Sequence, residues 1–201
     1  MRRRVSVRNR GKQDRSRETF EVVIEATIRI LETGKETLTT NSVSAAAGIS
    51  VGTLYQYFPN KESIMAEVIR RELEKDLALF KEKFEGQKPA SLEVAVDKIV
   101  ETALEINERP VGIKRAMFEY LALSQQVEHI KRIHFENVRL VADFIAAAKG
   151  WDKKLDPSFF SLMTLSIAAS VFQLMTEYGG VSQKEISKEL KRLLTGYLAL
   201  R

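Results

Sequence analysis

Four prolines occur in 201 residues, Pro59, Pro89, Pro110 and Pro157, and each stands at the edge of a stretch whose apolar residues recur every three or four positions. Proline inside a helix removes a hydrogen bond and clashes with the preceding turn, so a chain that confines it to such seams is free to be helical almost throughout. The predicted fold class is all-α, with about nine helices. The first pattern covers about Ser16 to Thr33, where Phe20, Val23, Ile24, Thr27, Ile28 and Leu31 share a face and Gly34 supplies a C-cap. Two short helices follow, about Asn41 to Ala47 and Val51 to Phe58, and Asn60 then N-caps a fourth from Lys61 to about Glu85. Further patterns cover about Ser91 to Glu108, Val111 to Leu123, Gln126 to Lys149, Asp156 to Tyr178 and Ser182 to Leu200, the last opening on the capping box Ser182-Gln183-Lys184-Glu185.

Composition narrows the class of protein. With 44% hydrophobic and 29% charged residues the chain can bury a core. The absence of cysteine excludes disulfides, thiolate metal sites and a cysteine nucleophile, and makes the cytoplasm the natural compartment. No secretion signal is expected, because Glu21, Glu25 and Arg29 interrupt the apolar stretch after the basic N-terminus. Ser158 to Tyr178 is apolar enough to suggest a membrane span. Gln173, Glu177 and the hydroxyls of Ser161, Thr164, Ser166 and Ser170 argue against one.

Charge is unevenly placed. Residues 1–18 hold eight basic and two acidic side chains, a local +6 against a chain total of +5, so the other 183 residues sum to −1. The predicted organisation is a flexible basic arm (1–15), a small helical domain (16–62) and a larger helical domain (63–201). Such an arm suits a phosphate backbone, with an anionic membrane as the competing partner.

The two short helices carry the function. A helix-turn-helix needs a first helix across the backbone, a tight turn, and a second helix whose outer side enters the major groove. Thr40 can N-cap the first helix, Val43 and Ala47 give it a small buried face, Gly48 permits the positive φ of the turn, and Ile49 plugs it. Leu54 and Phe58 face inward on the second helix, which leaves Val51, Gly52, Thr53, Tyr55 and Gln56 outward.

The run Thr40-Asn41-Ser42-Val43-Ser44-Ala45-Ala46-Ala47-Gly48-Ile49-Ser50-Val51-Gly52-Thr53-Leu54-Tyr55-Gln56-Tyr57-Phe58-Pro59-Asn60-Lys61-Glu62 resembles the DNA-binding signature of the TetR family of bacterial transcriptional regulators. One departure is Ser44, where the family more often has alanine. The resemblance implies a homodimeric repressor whose divergent C-terminal domain binds a small ligand and dimerises through the last two helices. It assigns phosphate contacts to Thr53, Tyr55 and Lys61 and base edges to Val51, Gly52 and Gln56, with Thr40, Ser42 and Ser50 completing the expected DNA-binding set. Gln56 has the amide that can pair with adenine, and it can equally contact phosphate. Gly52 allows close approach.

The remaining expectations concern the C-terminal half. An apolar cavity is expected from Met117, Phe118, Tyr120, Leu121, Phe135, Met163, Phe172 and Met175, with Trp151 near a rim and Asn107, Glu119 or His134 as polar anchors. The effector is then hydrophobic or amphipathic. The expected dimer surface takes Leu165, Ala169 and Phe172 from one helix and Leu190, Leu193, Leu194 and Tyr197 from the last. Two copies on a palindromic operator, moved by the fourth helix when ligand binds, complete the expected mechanism. No cofactor, metal or catalytic residue is expected: His129 and His134 are five apart and point to different sides of a helix. Two competing classes are a basic-arm adaptor on membranes or proteins, and a serine hydrolase built on Gly48-Ile49-Ser50-Val51-Gly52, a match to the G-x-S-x-G elbow that lacks a preceding strand.

Overall fold

A computed structural model describes residues 10–34, 37–124, 128–179 and 182–199, without the side chains of 10–14, 120–124, 129–130, 175–178 and 199. Its described residues form nine α-helices and no strand. These are α1 (Arg10–Thr33), α2 (Thr40–Ala47), α3 (Val51–Tyr57), α4 (Lys61–Phe84), α5 (Leu92–Ile106), α6 (Val111–Ser124), α7 (Glu128–Ala146), α8 (Pro157–Tyr178) and α9 (Gln183–Ala199). Helix α1 begins at Arg10, so the last residues of the expected arm, 10–15, are helical, while residues 1–9 lie outside the described set. The chain divides into two compact units between Val68 and Ile69, inside α4, rather than at the expected 62.

The N-terminal unit closes around Val23, Ile24 and Ile30 of α1, Val43 of α2, Leu54 and Phe58 at α3, and Ile64 and Val68 of α4. Phe20 stacks on Phe58 with ring centroids 4.8 Å apart. The expected inward residues of the second short helix are indeed the most deeply buried: Leu54 is 0% exposed and Phe58 3%.

The C-terminal unit has its own core, in which Phe80 and Phe84 of α4, Val96 and Ile99 of α5, Phe144 of α7, Phe160 and Phe172 of α8 and Leu190 and Leu194 of α9 meet. Ser91 caps α5 by accepting the Val94 N–H, and Ser182 with Glu185 forms the reciprocal box expected before α9. Leu190, Leu194 and Phe172, expected on a dimer surface, are inside this core, and Leu165 and Tyr197 pack against it. Periodicity marks an apolar face without saying what covers it, which is why these residues were assignable either way. On these two helices the exposed large apolar side chains are Phe159, Leu162 and Leu174 of α8 and Leu193 of α9, the last a member of the expected dimer surface. Pro157–Leu174 is long and apolar enough to cross a membrane by length and composition alone, and only 28% of it is buried within the chain.

Candidate nucleic-acid interface

Helix α2 starts where Thr39 caps it. The Ser42 N–H donates to Thr39 Oγ1 at 3.0 Å and the Thr39 N–H donates to Ser42 Oγ at 2.9 Å, a capping box with serine in the position usually held by glutamate. The cap is therefore one residue earlier than the expected Thr40. Thr40, freed from that duty, places its hydroxyl 3.5 Å from the Tyr55 hydroxyl of α3. The Ser42 hydroxyl also donates to the Thr37 carbonyl at 2.9 Å, so it is engaged in shaping the start of α2. Ser44 fits its buried position by donating to the Asn41 carbonyl at 3.0 Å.

The turn is set by Gly48, which has φ 68° and ψ 28° in the left-handed region. Its N–H reaches the Ala45 carbonyl and the Ile49 N–H reaches that of Ser44, so α2 ends with its last carbonyls satisfied. Ser50 then caps α3, accepting the Thr53 N–H at 3.0 Å and lying 2.8 Å from the Thr53 hydroxyl. The G-x-S-x-G match thus joins two helices, with its serine hydroxyl serving as a cap. A nucleophile elbow needs a strand leading into it, and α2 stands there instead.

With Leu54 inward, α3 turns Gly52, Tyr55 and Gln56 outward, and Tyr55 is half exposed although it is a large aromatic. Val51 and Thr53 are half-buried beside them. Gly52 has ordinary helical backbone and open room, the nearest atom to an added Cβ being Ser50 Oγ at 3.8 Å. Lys61 is the first residue of α4, which Asn60 caps by accepting the Ser63 N–H at 2.8 Å. The structure therefore brings Thr40, Ser50, Val51, Gly52, Thr53, Tyr55, Gln56 and Lys61 into one unit built on a single small core. What sequence reasoning missed is Thr39. Its signal was available in Ser42 three residues on, obscured by the Thr39-Thr40 repeat.

The cavity expected in the other unit fares differently. Phe135 is 71% exposed, and Glu119 and His134 are also at the surface, so none of them lines an interior. Phe172 belongs to the core and Met163 packs half-buried against it, Trp151 packs edge-on against Phe160, and Met117 and Phe118 are half-buried. Asn107 is buried as the residue ending α5. The side chains of Tyr120, Leu121 and Met175 lie outside the described set. Two hollows do occur there, one of about 180 Å³ beside Phe84, Lys88, Arg139 and Leu140, the other of about 350 Å³ beside Leu92, Val96, Lys149 and Leu198. Neither contains an expected residue.

A capped helix-turn-helix with an outward polar face, followed by an all-helical body, defines the class of helix-turn-helix transcriptional regulators. The chain belongs to the TetR family: the model described as "Bacterial regulatory proteins, tetR family" matches residues 23–68, and that described as "Tetracyclin repressor-like, C-terminal domain" matches residues 91–198. The nucleoid occlusion factor SlmA of Glaesserella parasuis serovar 5 (strain SH0165) is 33% identical over 103 residues, 50% of each chain. The HTH-type transcriptional regulator UidR of Escherichia coli (strain K12) is 24% identical over 115 residues, 57% of this chain and 56% of that one. The chain thus spans about half the length of the curated relatives it matches. Among solved structures, the fatty acid degradation regulator FadR from Bacillus halodurans superposes with a TM-score of 0.65 at 16% identity, covering 88% of this chain and 94% of that one. GusR of Salmonella enterica gives 0.60 at 22%, covering 90% and 96%. At these identities the two structures show the fold.

Proposed function

We propose that the protein is a ligand-responsive transcriptional repressor that binds a palindromic DNA operator as a homodimer in the cytoplasm, at the nucleoid. The observation that carries this reading is the outward face of α3, where an exposed tyrosine, an exposed glutamine and a glycine with empty space beside it occupy the surface of a seven-residue helix whose inner side is buried. Gln56 is suited to a base edge, and Tyr55, Thr53 and Lys61 to phosphates, with Lys61 at the positive end of α4. The basic residues 2–17 add further phosphate contacts.

Dimerisation is supported by the open apolar face of α8 and by Leu193 with Gly196 on α9, the latter having nothing within 4 Å of an added Cβ. A second copy would hide Phe159, Leu162, Leu174 and Leu193, and Ala169 lies exposed among them. The effector is a small hydrophobic or amphipathic molecule that binds one position of α4 better than another, with a coupling of about 1–3 kcal/mol.

The test is a gel-shift titration on sequences recovered by genomic selection with the wild-type protein. Y55A/K61A should weaken binding by about tenfold or more, in keeping with about 1–3 kcal/mol for a lost contact set. Unchanged retention removes the docking surface. Deleting residues 2–12 should lower the slope of affinity against salt while leaving sequence preference intact, and equal slopes would remove the arm from the interface.

A further inference from the structure

The two buried carboxylates among the described residues lie one turn apart on α4, Glu72 at 4% and Asp76 at 8% exposure. Arg109, in the turn between α5 and α6, pairs with both: its Nε lies 3.3 Å from Glu72 Oε2 and its Nη2 donates to Asp76 Oδ1. Lys75 donates to the other Glu72 oxygen at 2.6 Å from the surface, so two carboxylates meet two cations. The last edge of the guanidinium, Nη1, donates to the Met117 Sδ of α6 at 3.1 Å, a weak acceptor. Burial lowers the basicity of Arg109 and Glu72 opposes that shift.

In the described part of the element beyond this turn, residues 111–119, few apolar side chains are fully buried. Over residues 111–119 the buried apolar side chains of α6 are Ile113 and Ala116, whereas α5 buries Ala95, Val96, Ile99, Val100 and Ala103. Elements with few buried apolar contacts open at lower free energy than the core they cover. Arg109 reaches the two carboxylates through different nitrogens of one rigid, planar group, a geometry that a lysine ammonium does not reproduce.

We propose that Glu72, Lys75, Asp76 and Arg109 form an ionic latch that fixes the α5–α6 junction on α4, and that α6 is the part of the C-terminal unit that opens when the latch releases. The latch needs neither operator nor effector, so its failure is separate from failure of the repressor reading. Hydrogen exchange on the full-length protein tests it. In R109A the backbone amides of α6 should exchange about tenfold faster or more while those of α5 and α9 keep their rates. Millimolar ethylguanidinium, which refills the space between Glu72 and Asp76, should slow α6 again, and ethylammonium at equal ionic strength should not. Unchanged α6 exchange in R109A overturns the latch, and so does a uniform rise across the whole unit, which marks a general stabilising role. Should R109A not fold, R109K keeps the charge without the fork: faster α6 exchange supports the latch and wild-type exchange overturns it.

Discussion

Gly52 shows how a single residue separates the needs of folding from those of binding. A glycine inside a helix costs about 0.5–1 kcal/mol relative to alanine, and nothing among the described residues offsets that cost, because a Cβ there would meet only Ser50 Oγ at 3.8 Å. G52A should therefore stabilise the protein, seen as a higher denaturant midpoint with an unchanged slope. It should also lose DNA affinity, because the methyl would hold α3 away from the groove. A variant both stabler and equally tight in binding would show that the glycine does not face DNA. Gly48 is the opposite case, since its φ of 68° is imposed by the turn itself. The two glycines look alike in sequence and differ entirely in what requires them.

Helix boundaries depend on who caps whom, and here the chain was legible to within a residue or two at most ends. Proline and glycine punctuation separates the described helices except α6 from α7, where only the break in periodicity does so, and the Leu54 and Phe58 spacing identifies the inner face of α3. Two features resisted. The sequence points to Thr40 as the cap of α2 because two threonines are adjacent and either can cap, and only the reciprocal bonds of Thr39 with Ser42 decide between them. Periodicity on α8 and α9 marks apolar residues without saying what covers them, and of the expected dimer set Phe172, Leu190 and Leu194 are covered by the chain itself while Ala169 and Leu193 stay exposed. Long-range packing has no local signal, whereas a cap does. It follows that T39A should destabilise the protein by about 1 kcal/mol, the usual cost of losing an N-cap, and T40A by less. Urea unfolding of the two variants side by side checks this, and a larger loss for T40A would return the cap to Thr40.

For the whole molecule the decisive surface is the apolar face left open on α8 and α9. Replacing Leu162 and Leu193 by glutamate puts charge on that face without entering the core, since both are about half exposed in the single chain. Sedimentation velocity should then show a monomer with wild-type helix content, and operator affinity should fall with the loss of paired half-sites. A persistent dimer would place the interface elsewhere, and partition of the wild type into lipid vesicles would give the face to a membrane instead.

That open face also bears on dosage. If a second copy covers it as proposed, the DNA-binding species scales with the square of chain concentration wherever dimers are scarce. Occupancy of a paired site then climbs more steeply than the supply of protein, so a modest change in synthesis or turnover suffices to cross from an empty operator to a filled one.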